Sequence, residues 1–236
     1  MLRRGFCISF AQVLGVAAMV VSSCFCCRAQ NLEWTETQWE EKMTEYGLVD
    51  IATVDPTIIV DLKYATTDNF VGENMYGSLC RAYLRPEIAE ALKRVQTALK
   101  KRNPAYSLII YDAARPQSVQ KLMYDRVKDT KYSRYVAKPY KGGHHNFGVA
   151  VDISIACDGV PLDMGTGFDS FSIVSHIDNE DELLRTGKIT KEALANRRLL
   201  RKLMKAEGFT TYRREWWHFQ QYEISYARAN LKLLDF

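Results

Sequence analysis

Apolar and polar positions alternate with two different periods along this chain. Pro86 to Lys101 carries the sharpest helical period. Ile88, Leu92, Val95 and Leu99 recur on one face, Pro86 suits a first helical position, and Asn103-Pro104 stops the run. Val119, Leu122, Met123 and Val127 predict a second helix. Thr190 to Glu207 predicts a third, with Thr190 as N-cap and Gly208 just past its end. The polar, aromatic stretch Asn31 to Tyr46 reads as a helix packed on the surface. Strand signals fall at Leu48 to Ile51, Ile58 to Leu62, Ser107 to Tyr111 and the segment from Glu215 to His218. Val149 to Ile155 alternates throughout. Val149, Val151, Ile153 and Ile155 share one face, while Ala150, Asp152 and Ser154 share the other. Residues 66–78 and 158–171 are loops by their Gly, Asn and Asp content. Helices and strands alternate only in part. The pattern therefore predicts an α+β fold, with a central, mainly antiparallel sheet and flanking helices.

Composition limits this to one domain with one core: 236 residues, 47% hydrophobic and 25% charged, without internal repeats. Net charge is +4, but Arg3, Arg4 and Arg28 sit in the first 29 residues with no acid, so +4 less 3 leaves +1 for the rest. That balance excludes a nucleic-acid partner. Residues 128–141 are basic and tyrosine-rich, and read as a surface connection. Residues 1–29 read as an export signal, with Arg3 and Arg4 before an apolar region from Phe6 to Val21 that is short for a membrane span. Two processing readings compete. Cys27-Arg28-Ala29 before Gln30 is a small-residue cleavage site. Val21-Ser22-Ser23-Cys24 resembles a bacterial lipobox, which would leave a lipid anchor on Cys24 and no integral span in the mature chain. Either way the expected location is the periplasm or, as a lipoprotein, the outer envelope of a bacterium. An uncleaved anchor is the third alternative. Of six cysteines, Cys7, Cys24, Cys26 and Cys27 fall in the leader. Cys80 and Cys157 remain, either as a disulfide in an oxidising compartment or as two free thiols.

Candidate chemistry concentrates in two segments, Gly142 to Ser154 and Glu215 to His218. The chain has only four histidines, His144, His145, His176 and His218, and a lone histidine is usually a surface or satisfied core residue. His145 and Asp152 are seven residues apart, an odd offset that puts them on opposite faces of an unbroken strand; a bend at Gly148 removes that obstacle. Glu215 and His218 are three apart, again odd for a strand, and converge if Glu215 sits on the loop before it. Two histidines and a carboxylate form a catalytic zinc set that leaves a fourth position for water. A second carboxylate then serves as base, and Glu215 beside two tryptophans suits that task, because apolar surroundings raise its pKa. The competing reading of Glu215 is an ion pair with Arg213 or Arg214.

The spacing Gly143, His145, Asp152, followed by Glu215, Trp217 and His218, resembles the D-alanyl-D-alanine dipeptidases of the VanX type. The broader pattern S-x-H-x-x-G-x-A-x-D is shared with D,D-carboxypeptidases and related zinc peptidoglycan hydrolases. The resemblance extends to Asp61 through Phe70, to the arginine-bearing Asp112 to Pro116, and to Met164 through Asp169, so it covers nearly all of residues 30–236. It implies one zinc ion per chain, on one face of the sheet, held by His145, Asp152 and His218. It also implies Glu215 as general base and acid, and Arg115 as the cation that stabilises the oxyanion. Asp169 would hold the substrate ammonium, with Tyr64 and Tyr76 lining the pocket. The bland alternatives are an Arg115–Asp112 ion pair, a loop-capping Asp169 and two core tyrosines. His144 and His176 are expected not to be ligands. One departure stands out: the family's serine two residues before the first histidine is Gly143 here, which bears on substrate preference and not on the metal. The activity implied is hydrolysis of the D-Ala-D-Ala dipeptide. The alternatives are a carboxypeptidase or endopeptidase acting on peptidoglycan peptides, and a non-catalytic zinc-stabilised binding module.

Overall fold

The computed structural model describes residues 33–236; the export signal and the expected helix start at Asn31 lie outside them. The chain opens with α1 (Glu36–Glu45), which Thr35 caps by accepting from the Gln38 N–H while the Gln38 side chain accepts from the Thr35 N–H. Next come β1 (Val49–Asp50), α2 (Ile51–Val54), β2 (Ile59–Val60) and β3 (Tyr83–Leu84). Then follow α3 (Pro86–Arg102), β4 (Tyr106–Asp112), α4 (Gln117–Val127), β5 (Ala150–Cys157) and β6 (Val160–Pro161). The chain ends with α5 (Glu180–Arg185), α6 (Lys191–Ala206), β7 (Thr210–Tyr212), β8 (Glu215–Gln220) and α7 (Ile224–Asn230). The expected strand at Leu48 to Ile51 is therefore two residues long, because Asp50 turns to cap α2 through the Ala52 N–H.

The main sheet runs β2-β4-β5-β8-β7, with β6 paired to the end of β5, while β1 and β3 form a separate small ladder. Only β2 and β4 are parallel; the other pairs are antiparallel. The α+β expectation and the mainly antiparallel sheet are both found. Val149, Val151, Ile153 and Ile155 are fully buried, as are Ile88, Leu92, Val95 and Leu99 of α3, all in one core cluster. Removing that apolar area from water is the main drive for α3 and α6 to cover the sheet. Thr190 accepts from the Ala193 N–H at 2.9 Å, so the start of α6 is the one its sequence marks.

One expectation is corrected. Cys80 and Cys157 are free thiols and form no disulfide. Cys80 lies on the loop before β3 with its Sγ 3.5 Å from Glu36 Oε1. Cys157 ends β5, opposite Val160 of β6 and Tyr106 of β4, where the ladders fix it. Spacing along a sequence carries no information on such a distance.

Candidate active site

Three polar residues lie in a row across the sheet. Asp152 of β5 is in register with Asp112 of β4 on one side and with His218 of β8 on the other. Directly opposed residues point to the same face, so the ladder delivers all three side chains to one side of the sheet. A bulge makes this possible. Between Ile110 and Asp112 the register slips, with two residues of β4 passing one step of β5. Tyr111 absorbs the extra residue and Asp112 turns toward the site.

His145 arrives from a 3-10 turn, His144–Phe147, closed by Gly148 in the left-handed region at φ 69° and ψ 26°. The left-handed conformation favours glycine there, and a Cβ would stand 2.7 Å from Leu48 Cδ2 and have to displace that side-chain tip. This is the bend the sequence calls for. The turn is fastened to the Arg115 loop by hydrogen bonds: Arg115 N to the His145 carbonyl at 3.0 Å, and Asn146 Nδ2 to the Arg115 carbonyl at 2.7 Å.

His145 Nε2, His218 Nδ1 and Asp152 Oδ1 form a triangle with sides of 3.2, 2.9 and 3.5 Å. A tetrahedral ion with bonds of about 2.0–2.1 Å needs its ligand atoms roughly 3.3 Å apart, so the three fit one such ion. The far ring nitrogens are occupied. His145 Nδ1 donates to the Ala113 carbonyl at 2.7 Å, and His218 Nε2 donates to Gln220 Oε1 at 2.8 Å. Those tautomers turn the remaining lone pairs toward the centre.

Glu215, Arg115 and Asp169 line the same cavity as the triangle, together with Tyr64, Gly143 and His144; its volume is about 490 Å3. Glu215 is the first residue of β8 and not part of a preceding loop. The odd offset to His218 is resolved by the ladder: Thr211 faces Phe219 while Tyr212 faces Glu215, so β8 carries extra residues between them. Arg213 pairs with Asp178 at 2.9 Å, which leaves the Glu215 carboxylate to the cavity. Arg115 does form the ion pair with Asp112: Nε donates at 3.1 Å and Nη2 donates to the same oxygen. Nη1 donates to Gln120 Oε1 at 3.0 Å. The pair clamps the guanidinium at the cavity wall, so the ion pair and a cavity role are compatible.

Asp169 adopts a left-handed conformation, φ 57°, on the loop between β6 and α5. Tyr64 Oη donates to its two carboxylate oxygens at 3.1 and 3.0 Å. The loop is braced from behind. Arg197 Nε donates to the Met164 carbonyl at 2.6 Å, and Trp216 Nε1 donates to Thr166 Oγ1 at 2.8 Å. Tyr76 is not at the cavity wall. It lies behind the site and donates to Asp112, because the core claims its ring. Two functional side chains escape the sequence reading, Gln120 and Gln220. Gln220 is two residues past His218, the strand period, which is the one signal that points to it.

The charges are strongly perturbed. Burial alone would push the Asp152 carboxyl up, but the two imidazoles against it hold it well below the usual carboxylate range. Burial disfavours the His145 cation, yet Asp152 and Asp112 raise its pKa above the ordinary imidazole value. Burial lifts Glu215 to about 7, with Asp152 and Asp169 adding to it and His218 opposing. Burial, then the Asp152 charge, pushes Asp169 well up too. His144 goes the other way, to about 4, through burial and the neighbouring His218 and His145.

A set of metal donors, a proton acceptor and a fixed cation around one cavity is the equipment of a metallopeptidase. Sequence comparison then gives the family. Residues 44–234 match the M15 peptidase family, described as D-ala-D-ala dipeptidase. The D-alanyl-D-alanine dipeptidase of Escherichia coli (strain K12) is 34% identical over 73% of this chain and 83% of its own length. Those of Enterococcus faecalis (strain ATCC 700802 / V583) and Streptomyces coelicolor (strain ATCC BAA-471 / A3(2) / M145) are 30% and 29% identical, over 70% and 67% of this chain and 87% and 83% of their own lengths. The chain belongs to this peptidase family.

Proposed function

We propose that the protein is a zinc-dependent dipeptidase that hydrolyses D-Ala-D-Ala. The observation that carries this reading is the convergence of His145, Asp152 and His218 on a cavity that Glu215, Arg115 and Asp169 also line. Two imidazoles and one carboxylate, with a fourth position open, suit zinc. When bound, zinc supplies Lewis-acid polarisation of the scissile carbonyl and lowers the pKa of a water molecule. Glu215 takes a proton from the attacking water and returns it to the departing amine nitrogen as the carbon–nitrogen bond breaks. Its raised pKa suits the second half of that cycle, because a carboxylate of ordinary pKa holds the proton poorly near neutrality. Arg115 presents a charge already fixed by Asp112 and Gln120, so it meets the developing negative oxygen without reorganisation. Asp169, half-buried with Tyr64 as its donor, takes the substrate ammonium as counter-ion. Tyr64 helps line that end. The leader supports placing the activity outside the cytoplasm, in the periplasm or outer envelope, on a small dipeptide and without nucleic acid. No helix among the described residues is long and apolar enough to cross a membrane.

The test is turnover of D-Ala-D-Ala by purified protein, zinc-loaded and chelator-treated, beside an N-acylated D-Ala-D-Ala. Glu215→Gln is expected to keep zinc and to lose turnover by roughly a thousandfold. A variant near wild-type activity would overturn the base assignment. A higher kcat/KM on the acylated substrate would replace the dipeptidase reading with a carboxypeptidase.

A further inference from the structure

His145 is the one donor of the triangle that no ladder fixes. Asp152 and His218 face each other on hydrogen-bonded strands, whereas His145 stands on a 3-10 turn of four residues. A turn this short, with its poorer hydrogen-bond geometry, does not fix its own orientation. What grips it from outside therefore aims the ligand.

Arg85 Nε donates to the Phe147 carbonyl at 2.7 Å, and the Arg85 backbone N–H donates to the Gly148 carbonyl at 3.1 Å. From the same guanidinium, Nη2 donates to the Lys232 carbonyl at 3.0 Å. Nearby along the chain, Leu234 N donates to the Asn146 carbonyl at 2.9 Å, and the Leu234 carbonyl accepts from Gln117 N, at the start of α4, at 2.8 Å. Leu234 is fully buried. Arg85 thus lies between the ligand turn and the segment that ties this turn to α4, and it donates to both. Ahead of the turn, Arg228 of α7 donates to the Lys141 and Gly142 carbonyls at 3.0 and 2.9 Å, but it is exposed, whereas Arg85 is half-buried.

Local chemistry gives no reason for an arginine at 85. It is the N-cap of α3 and its side chain caps nothing. Serine, threonine, aspartate and asparagine are favoured at that position, and the helix dipole disfavours a cation there. Burial also lowers the pKa of the guanidinium, whose charge is partly out of water. What offsets these costs is the pair of carbonyls the side chain joins.

We propose that Arg85 is a positioning residue for the metal site: by joining the Phe147 carbonyl to the Lys232 carbonyl, it holds the turn so that His145 Nε2 stays in the triangle with His218 and Asp152. This rests on reading that triangle as the metal site. Arg85 does not line the cavity and takes no part in the chemistry itself.

The experiment measures zinc affinity by competition with a chromogenic chelator for wild type, Arg85→Ser, Arg85→Lys and Leu99→Ala, with the melting temperature of each metal-free form. Arg85→Ser gives α3 a favoured N-cap while removing the clamp. Its zinc affinity is expected to fall roughly tenfold, the scale of a lost contact that supports a ligand, out of step with any change in melting temperature. Arg85→Lys keeps the charge but offers a point donor in place of a planar fork, so it is expected to recover little of the loss. Leu99→Ala, in the α3 core and away from the cavity, is expected to lower the melting temperature and leave zinc affinity unchanged. Wild-type affinity in Arg85→Ser or Arg85→Lys, or an equal loss of affinity in Leu99→Ala, would overturn the positioning role while leaving the metal site intact. Wild type that binds no zinc would instead sink the metal-site reading itself.

Discussion

The two halves of the cavity are built from different material. The metal half stands mostly on the sheet, where Asp112, Asp152 and His218 hold neighbouring positions on three hydrogen-bonded strands, while His145 reaches it from the turn before β5. The substrate half is carried by loops: Asp169 on the segment after β6, and Gly143 on the connection before β5. Ladder register sets Asp152 and His218 in the first, since a one-residue slip would turn Asp152 to the opposite face. The second is positioned by single side-chain ties, such as Arg197 to the Met164 carbonyl and Gln120 to the Ala137 carbonyl.

Asp152→Ala breaks the metal half most directly, because it removes the carboxylate between the two imidazoles. Zinc affinity is expected to fall by well over a hundredfold, more than a lost supporting contact costs, as read by competition with a chromogenic chelator. Retention of tight zinc binding would show that the triangle is not the site. Next in size is the pH response of the metal-free protein. Glu215 rises from the ordinary 4.5 to about 7 in the folded state, so the folded state holds more protons than the unfolded one across that window. The Glu215 contribution to stability therefore falls by roughly 3 kcal/mol as pH rises from about 4.5 to about 7. Asp169 and His145, both raised, act in the same direction, while His144, lowered from 6.5 to about 4, opposes Glu215 by a similar amount over the same window. Urea unfolding of wild type and Glu215→Gln in chelator at about pH 5 and pH 7.5 isolates the Glu215 share, and the variant should gain stability with pH relative to wild type. The same pH dependence in both proteins would contradict the burial of Glu215. Zinc affinity is expected to rise with pH over this range, because the imidazole ligands bind in deprotonated form.

The same division governs what the sequence reveals. The apolar face of α3, the alternation of β5 and the Thr190 cap depend on neighbours a few residues away, and each is found where its pattern places it. The bend at Gly148 is legible because only a left-handed residue brings His145 back to Asp152. The position of Glu215 is not, since its convergence with His218 comes from a register irregularity opposite Tyr212, a property of two strands together. The acceptors on the far sides of the imidazoles, the Ala113 carbonyl and Gln220 Oε1, likewise come from packing. Tyr76 is misplaced for a related reason: an aromatic in a loop signals burial, and the sequence does not distinguish a cavity wall from the layer behind it. The short β7 and α7, which frame the end of the sheet, carry too few residues to show a period.

Asp169→Asn tests the substrate half alone. It keeps the size of the side chain and the contact with Tyr64 while removing the charge that meets the ammonium. kcat/KM for the dipeptide is expected to fall at least about thirtyfold, mainly through KM, with zinc affinity unchanged; losing one partner of a buried charge pair is worth about 2 kcal/mol or more. An equal loss in zinc affinity would mean that the halves are not separable.

Gly148→Ala probes the joint between them. Gly148 takes φ 69°, a conformation that costs a residue with a Cβ about 1–2 kcal/mol, and the added methyl would meet Leu48 Cδ2 at 2.7 Å. Leu48 Cδ2 is the tip of a side chain and can give by rotation, so the expected loss in unfolding free energy is only about 2 kcal/mol, with a fall in melting temperature of several degrees. The informative comparison is between the two ends of the His145 turn. If the bend alone aims His145, zinc affinity drops with stability while the Asp152–His218 pair, fixed by its ladder, is undisturbed. If zinc affinity holds, the hydrogen bonds from Arg115 and Asn146 are sufficient to position His145, and the turn belongs to the rigid half of the site.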